Sequence, residues 1–423
     1  MTSQYEHNLT DFKEVLLFII CQNPTVDCFF NKCEKCPKVA KLEEYMTKIF
    51  YEEDIDEISY KQWVSTPITT LVTIISTSEE FISSFCSNIK SLLTHHYICK
   101  MQSLYLKDLK SSLQDGEIIV ICDFAQNYAF VVQNAAPGFH WNNNQATVYC
   151  MVYYYKWNDE IRHEGFVVIS DALNHDSILV YTFHKLFVKY IKNKFPRVKI
   201  IKEFKDGAPQ HFKNYKSVLN LYYHEQEFGI KNEFHYFPTA HGKGPCDGLG
   251  GTIKRAAARA SLQLPVDKQI LTSEDLFKWL KYEHNFPNVH FEYSPASDYL
   301  ESEKFLMERY QNKSRVSNIQ QQHCLIPKEN GVVESKSFSA AVEKTENIII
   351  DEIAEKIRKT AGKKQNRKKK NPKTQSKKNK QPNNKNKIKK QANSKTTQKK
   401  KNNKKPTRNP RKKIKFKNNL FIQ

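Results

Sequence analysis

The chain has 423 residues, of which 39 % are hydrophobic, so it is long enough for two or three domains with a sizeable core. Of its 67 Lys and Arg residues, 26 lie in residues 361–423, a segment without any Asp or Glu. The other 360 residues carry 41 basic and 45 acidic side chains, a net charge of −4. This balance excludes a protein whose whole folded surface coats nucleic acid.

Neither a secretory signal nor a membrane span is predicted. The first apolar run, Val15–Ile20, has only six residues and follows Lys13 and Glu14. No stretch approaches the ~20 apolar residues that cross a bilayer. We therefore expect a soluble protein in a reducing compartment, where the clustered members of its ten Cys bind metal rather than each other.

Residues 1–115 are predicted to be a mostly helical N-terminal region, because Leu71–Phe85 and Leu92–Leu113 carry apolar residues at intervals of three and four. Within it, four Cys follow the spacing C-x6-C-x4-C-x2-C. Short-spaced thiolates can close a tetrahedral zinc site, so we expect zinc at Cys21, Cys28, Cys33 and Cys36. Four ordinary, partly buried thiols are the alternative.

Residues 116–327 are predicted to form one α/β domain, a mixed sheet flanked by helices. Four early runs rich in Val, Ile, Tyr and Phe predict strands: Glu117–Asp123, Tyr128–Gln133, Thr147–Tyr155 and Gly165–Ser170. Helices and strands then alternate, with strands at Val198–Phe204 and Asn232–Phe237 and helices at Asp176–Phe195, Phe212–Tyr223, Leu249–Gln263, Leu276–Tyr282 and Tyr299–Tyr310.

Order is expected to decline after this domain. Residues 328–360 are predicted to be a linker with one amphipathic helix at Val342–Ile357. Residues 361–423, made mostly of Lys, Asn and Gln, have almost nothing to bury and should be disordered. A polycation of this kind binds nucleic acid without sequence preference, and Lys404–Lys417 is typical of a nuclear import signal.

Three carboxylates follow the order expected for a two-metal phosphodiesterase site of the ribonuclease H-like fold. Asp123 ends the first strand, Asp206 ends the strand after the first long helix, and Asp247 precedes a later helix. Such sites hold two Mg²⁺ or Mn²⁺ ions on carboxylates fixed by rigid elements. The sequence therefore predicts that these three side chains bind Mg²⁺ or Mn²⁺.

Each acid also has a structural explanation. An Asp before Gly is common in turns, an Asp before a helix caps it, and Asp123 could simply end its strand. Asp171 is a reserve candidate for the site, and Asp176 is predicted to be a helix N-cap. Only the three acids together, in this order along the chain, support the catalytic hypothesis.

Basic side chains near these acids are candidates for DNA phosphate contacts. Two flank Asp206 and three follow Asp247, namely Lys205, Lys213, Lys254, Arg255 and Arg259. A solvated helix face is the alternative for such charges. In the glycine-rich turn, the backbone amides around His241 and Lys243 could also meet phosphate.

Several strings resemble those of a widespread, largely uncharacterised animal family derived from DNA transposons. They are CDFAQNY (122–128), HWNNNQAT (140–147), KDGAPQHFKNY (205–215), HGKGPCDGLGGTIKR (241–255) and the spacing H-x-x-x-K-x-Q-x-x-x-L-K from His96 to Lys107. The resemblance spans roughly residues 20–327. It implies a ribonuclease H-like domain of the DDE/DDD type with Asp123, Asp206 and Asp247 on the family's motifs.

The chain departs from that family at two positions. Gln126 stands where the family usually has Glu, which removes a potential ligand, and Lys205 stands where it usually has Ser. An ammonium beside Asp206 would compete with a metal ion.

Two functions of different classes remain open. One is a nuclear, transposase-derived enzyme that cleaves or joins DNA with two metals, active or catalytically degenerate. The other is an inactive DNA-binding or scaffold protein that uses the same fold, Cys cluster and tail. A nuclease unrelated to transposition is a third. In each enzyme hypothesis the partner is DNA and not a membrane, and self-association is left open.

Overall fold

A computed structural model of the chain describes residues 11–65, 67–134, 144–239, 242, 244–311, 316, 318–342, 346–350 and 414–415. These residues fall into two compact units. The first unit comprises residues 11–19, 37–89 and 414–415, and the second comprises residues 20–36 and the described residues from Lys90 to Ile350. The predicted tail, apart from residues 414–415, lies outside the described residues.

The α-helices are α1 (Phe12–Phe18), α2 (Val26–Phe29), α3 (Lys38–Glu52), α4 (Ser78–Ser111), α5 (Ser177–Lys194), α6 (Tyr215–Phe228), α7 (Pro245–Gln263), α8 (Ser273–Lys278) and α9 (Ala296–Arg309). Shorter turns of 3₁₀ helix lie at Val266–Lys268 and Ile319–Gln321, and a π-helical turn, Trp279–Glu283, follows α8.

The strands are β1 (Glu57–Ser65), β2 (Thr69–Thr77), β3 (Glu117–Phe124), β4 (Tyr128–Ala129), β5 (Gln145–Trp157), β6 (Glu160–Ser170), β7 (Ile200–Lys205), β8 (Lys231–Tyr236), β9 (Val289–Ser294), β10 (Cys324–Pro327), β11 (Val332–Lys336), β12 (Glu346–Ile349) and β13 (Ile414–Lys415).

The first unit contains α1, α3, the start of α4 and an antiparallel hairpin of β1 and β2, with β13 parallel to β1. The predicted helix at Leu71–Phe85 is wrong for residues 71–77, which form β2. Its sequence, TTLVTIIST, is dominated by β-branched side chains, which pack better on a pleated strand than on a helix. The helix begins only at Ser78.

The second unit is built on one ten-stranded mixed sheet, which confirms the predicted α/β class. Its main order is β12-β11-β10-β8-β7-β3-β5-β6-β9, and β4 pairs with β5 off this path. At its centre β3, β5 and β6 form an antiparallel meander, while β7 and β8 run parallel to β3 on the other side. The parallel neighbour of β3 is therefore β7, the strand that follows the first long helix of the domain, α5.

Two expectations about individual segments need correction. The predicted strand Tyr128–Gln133 is mostly loop, since only Tyr128–Ala129 pairs with β5, which leaves three main strands before the first long helix. The predicted linker after residue 327 instead extends the sheet: β11 pairs with β10 and β12 pairs with β11. Of the predicted helix Val342–Ile357, the structure describes residues 342 and 346–350. None of these is helical, and Glu346–Ile349 form β12.

The sheet separates two hydrophobic cores, because successive strand residues face opposite sides. Along β3, Ile118, Val120 and Cys122 pack with α5, α6 and α9, whereas Ile119 and Ile121 pack with α7, α8 and the end of α4. The first face carries many aromatic side chains, and the second is lined by smaller residues of α7.

Helix α7 lies very close to the second face of the sheet. A Cβ at Gly250 would stand 2.8 Å from the Cβ of Ala125 and 3.3 Å from the Sγ of Cys150. By contrast, a Cβ at Gly248, one half-turn earlier, would meet nothing within 4 Å. The absence of a side chain at Gly250 therefore lets α7 lie close to β5 and to the end of β3, the strand that carries Asp123.

This close approach predicts opposite effects for two matched substitutions. Gly250→Ala should lower the free energy of unfolding by about 1–3 kcal/mol, because the added methyl overpacks the interface between α7 and the sheet. Gly248→Ala should be neutral or raise it by up to about 1 kcal/mol, because Ala favours the helix and fits in open space. Urea titration of both variants measures the two changes, and equal effects would contradict the packing described here.

Candidate functional site

Asp123 and Asp206 lie at the same level on adjacent parallel strands. The register pairs Ile121 of β3 with Phe204 of β7, so continuing the pairing by two residues brings Asp206 opposite Asp123. Asp123 is the penultimate residue of β3, and Asp206 directly follows β7. The two acids therefore lie at the ends of neighbouring parallel strands.

Both acids belong to the face covered by α7. Asp123 pairs in register with Cys150, which is part of the core on that face, and it shares the side of β3 with Ile121. Asp206 lies one residue beyond Lys205, and strand alternation puts it on the side of Phe204, another member of the same core. A Cβ at Gly242, just before α7, would lie 3.0 Å from the Cβ of Asp206.

Asp247 reaches this face from the first turn of α7. The helix begins with Pro245, whose missing N–H costs nothing at a helix start, and the Oδ2 of Asp247 accepts a hydrogen bond of 3.0 Å from the Gly244 N–H. The thiol of Cys246 donates to the Ile121 carbonyl at 3.2 Å, which ties this helix end to β3. Asp247 is thus both a helix cap and a member of the acidic group, so the two sequence interpretations are compatible.

The charges of the three acids act on one another. Burial and, after it, the neighbouring charges of Asp206 and Asp247 together raise the pKa of Asp123 to about 7. Carboxylates that repel each other inside a protein are costly unless a cation or a proton neutralises them. In this structure a proton on Asp123 offsets part of that repulsion up to about neutral pH.

The three carboxylates are spread more widely than the ligands of a single ion. Three oxygens, one from each carboxylate, do not all lie within 4.8 Å of one another. Among the described residues, only the four cysteine thiols lie that close together. The three carboxylates therefore do not form the closed ligand set of a single-ion site. The side chain of Asp206 is 37 % exposed, which leaves it accessible from solvent.

A histidine that the sequence analysis did not select stands beside Asp206. The Nε2 of His211 lies 3.9 Å from the Oδ1 of Asp206, and its ring packs edge-on against Phe124 at 5.3 Å. On the other side of Phe124, His175 stacks at 4.2 Å. Burial lowers the pKa of His211, although Asp206 opposes that shift. No periodic pattern marks a loop histidine, so only its spacing of five residues from Asp206 could have indicated it.

Two of the five predicted phosphate contacts are corrected by the structure. Lys205 is 2 % exposed and lies on the opposite face from Asp206, where its Nζ donates to Glu203 Oε2 at 2.7 Å. It therefore neither meets phosphate nor competes with a cation at Asp206. Lys213 is equally buried, its Nζ donates to the Gln320 carbonyl at 2.8 Å, and burial lowers its pKa to about 7.

The other three basic residues lie on α7. Arg255 and Arg259 are exposed, and Lys254 is half-buried with its Nζ donating to the Gln126 carbonyl at 2.9 Å. They stay predictions as DNA contacts. Since His241 and Lys243 lie outside the described residues, the predicted phosphate contacts of that turn are not placed.

The second polar cluster has a structural role. Asp176 caps α5, because its Oδ1 accepts from the N–H groups of Ile178 and Leu179 at 2.9 Å. The reserve candidate Asp171 accepts a hydrogen bond of 2.5 Å from the hydroxyl of Tyr293 on β9, four strands away from β7 in the sheet order. Asp171 is therefore not part of the acidic group.

The four predicted cysteine ligands converge on one point. One sulfur from each of Cys21, Cys28, Cys33 and Cys36 lies within 4.8 Å of the others, and the Sγ of Cys21 is 3.6 Å from that of Cys36 and 3.9 Å from that of Cys33. Thiolates about 2.3 Å from a tetrahedral zinc ion stand roughly 3.8 Å apart. These residues could therefore hold a metal ion such as zinc.

Contacts within the second unit hold the cysteine segment in place. Phe29 stacks on Tyr97 of α4 at 4.4 Å, and the Thr94 hydroxyl donates to the Phe29 carbonyl at 2.7 Å. Burial opposes ionisation of Cys28, but hydrogen bonds from Thr25 and the neighbouring thiols outweigh it and lower the pKa of Cys28 to about 6. A thiolate is the form that binds metal.

Comparison with known proteins places the chain in a family. The chain belongs to the family described as Domain of unknown function (DUF8701), whose model matches residues 102–339, more than half of the chain. A second model, Domain of unknown function (DUF8700), matches residues 1–93. No curated protein and no solved structure matches the chain. Among the described residues, no helix is both long and apolar enough to pass through a bilayer.

The raised pKa of Asp123 predicts a pH-dependent cost to stability. The unfolded chain ionises this carboxyl near its ordinary pKa of 3.8, whereas the folded chain ionises it only near 7. The cost therefore grows as pH rises through that window and is complete above it. Asp123→Asn should stabilise the protein by on the order of 2 kcal/mol at pH 8 relative to wild type, by roughly half as much near pH 5.5, and hardly at all near pH 4.

Urea unfolding of zinc-loaded protein without other divalent ions measures this difference. Asp206→Asn serves as a second variant, since removing the neighbouring charge should reduce the pH slope contributed by Asp123. A difference between Asp123→Asn and wild type that is constant with pH would show that Asp123 is not perturbed as described.

The cysteine geometry predicts one zinc ion per chain. Cys33→Ser removes one of four ligands and should reduce the zinc content from one toward zero, with a lower melting temperature. Cys99→Ser is the matched control, because Cys99 is a partly buried thiol outside the cluster. Elemental analysis of the three purified proteins gives the result, and equal zinc in both variants would exclude this ligand set.

Proposed function

We propose that the chain is a transposase-derived enzyme that cleaves or joins DNA phosphodiesters with two divalent metal ions. The observation that supports the proposal is that Asp123 and Asp206 end neighbouring parallel strands, with Asp247 near enough for its charge to act on Asp123. Two of these acids sit on neighbouring strand ends and the third on a helix end, so the protein fixes all three by backbone structure.

The three carboxylates would hold Mg²⁺ or Mn²⁺. Bound there, the ion pair supplies activation of the attacking oxygen and stabilisation of the leaving oxygen. Asp123 and Asp206 are the residues expected to lie closest to the reacting phosphate, because they extend from the centre of the sheet. Asp247, in the first turn of α7, completes the ligand set at the exposed side.

The remaining features support DNA as the partner. Arg255 and Arg259 are exposed on the helix that carries Asp247, where they can contact phosphate oxygens beside the acids. The tail of residues 361–423 adds 26 positive charges, which favour non-specific binding to DNA and import into the nucleus. The Cys cluster takes zinc as a structural ion.

An inactive DNA-binding protein is the second candidate, and Gln126 favours it. Its backbone carbonyl accepts a hydrogen bond from Lys254, and its side chain is exposed three residues after Asp123, where the family that the chain resembles usually has Glu. An amide in place of a carboxylate removes one charge that could hold an ion. In this case the carboxylates would bind cations, and the protein would bind DNA without cleaving it.

Nicking of supercoiled DNA by the full-length, zinc-loaded protein separates the two candidates. With Mn²⁺, wild type should convert supercoiled plasmid to the open-circular form. Asp206→Asn should reduce the rate by on the order of 100-fold or more, since it removes a ligand of the ions that stabilise the transition state. Asp171→Asn is the matched control and should keep the wild-type rate.

Absence of nicking by wild type, with Mn²⁺ shown to bind, would overturn the enzymatic proposal in favour of the inactive protein. Equal nicking by wild type and Asp206→Asn would place the activity elsewhere. If wild type nicks, joining of cleaved ends to a target plasmid distinguishes a transposase from a simple nuclease.

A further inference from the structure

We propose that the edge of β1 in the first unit is a docking surface for the chain's own basic tail, and that this docking restrains the tail from binding nucleic acid. The occupant is the short strand β13, Ile414–Lys415, within the tail of residues 361–423. The inference goes beyond the proposed function, because it concerns neither the three acids nor DNA cleavage. It assigns an interaction to the hairpin of β1 and β2, which the proposed function does not use.

The backbone pairing of β13 with β1 is the observation that carries the proposal. β13 runs parallel to β1 and pairs with Ile58 and Ser59, while the other edge of β1 pairs along its whole length with β2. A strand edge offers N–H and C=O groups to an extended segment, and the main-chain hydrogen bonds give that segment its affinity. The edge of β1 therefore suits an extended peptide, and the tail supplies one.

The sequence around β13 differs from that of the rest of the tail. Residues 361–423 contain six Ile, Leu and Phe residues, and five of these lie within residues 414–422. Over Lys413–Lys417, lysine alternates with an apolar residue, which is the pattern of a strand with one charged face and one apolar face. This part of the tail therefore has a composition that favours pairing with a folded domain, whereas the Lys, Asn and Gln tract before it does not.

The charge of the first unit is complementary to that of the tail. Residues 11–19 and 37–89 carry 11 acidic and 5 basic side chains, a net charge of −6. Five of these acids are exposed within residues 52–57, directly before the two residues that pair with β13. Residues 411–413, all Arg or Lys, directly precede β13 in the tail. Because the pairing is parallel, an acidic run leads into one strand and a basic run leads into the other, so their charges attract.

Docking of β13 competes with the other predicted roles of the tail. Ile414 and Lys415 lie within Lys404–Lys417, the segment predicted to direct nuclear import, and nucleic acid binds such a polycation through its positive charges. While the main chain of β13 is paired with β1, fewer of these charges are available to phosphate groups. The apparent affinity of the tail for DNA is then reduced in proportion to the fraction of molecules in which the tail is undocked.

Serine variants of the full-length, zinc-loaded protein test this docking. Ile414→Ser combined with Phe416→Ser removes the apolar side of the alternating segment and leaves the charge of the tail unchanged. Ile388→Ser is the matched control, because Ile388 is the tail's aliphatic residue outside residues 414–422. Hydrogen exchange at Ile58–Tyr60 should be slow in wild type and in the control, and about 5-fold faster or more in the double variant.

Binding to random-sequence DNA gives a second readout on the same three proteins. The double variant should bind about 2–10-fold more tightly than wild type, because its tail is released with every positive charge retained. Ile388→Ser should bind with the wild-type affinity. Circular dichroism should show the same folded content in all three proteins.

Unchanged exchange at β1 in the double variant, or equal DNA affinity of all three proteins, would overturn this docking. An equal effect of Ile388→Ser would also overturn it, because the effect would then not be specific to β13. Sedimentation at several protein concentrations identifies the source of the strand: protection of β1 that appears only when dimers form comes from a second copy and contradicts docking within one molecule. Neither readout involves divalent ions or cleavage, so a failure here leaves the proposed function standing.

Discussion

The parallel pairing of β3 with β7 is the constraint on which the candidate site depends. It brings together two segments that are 83 positions apart in sequence and aligns Asp123 with Asp206 at the same edge of the sheet. Each strand alone places one acid at the end of an apolar run, which many proteins do. Only their registered adjacency concentrates negative charge, and this charge adds to burial, the larger cause, in raising the pKa of Asp123.

Helix α7 completes the arrangement by close packing. Gly250 allows the helix to approach Ala125 and Cys150, and the thiol of Cys246 binds the backbone of β3. This contact gives the first turn of the helix a defined position above the strand ends. The position of Asp247 is therefore set by the close packing of α7, whereas the positions of Asp123 and Asp206 are set by hydrogen bonding between strands.

Much of this architecture is predictable from sequence, because long apolar runs and helical periodicity specify buried elements. The central strands and the helices α5 to α7 arise in this way. Strand β2 is not predictable in this way, because Leu71 to Thr77 also fits a three-to-four spacing over one turn. The strands β9 to β12 lack strong patterns, since each has only four to six residues.

The site itself was predictable in part. The sequence shows the order of the three acids along the chain. The roles of nearby side chains, however, depend on which face of the sheet they occupy. Lys205 shows this most clearly: it precedes Asp206, so alternation turns it to the opposite core and into contact with Glu203. His211 depends on the path of a loop and the packing of Phe124, which local sequence does not specify.

The most direct measurement of the central claim is anomalous diffraction from crystals of the zinc-loaded protein soaked in Mn²⁺. If the three acids hold two metal ions, two manganese peaks are expected roughly 3.5–4 Å apart, enclosed by the carboxylates of Asp123, Asp206 and Asp247 on the α7 face of the sheet. Manganese bound elsewhere, or no peak among these three carboxylates at saturating Mn²⁺, would contradict it.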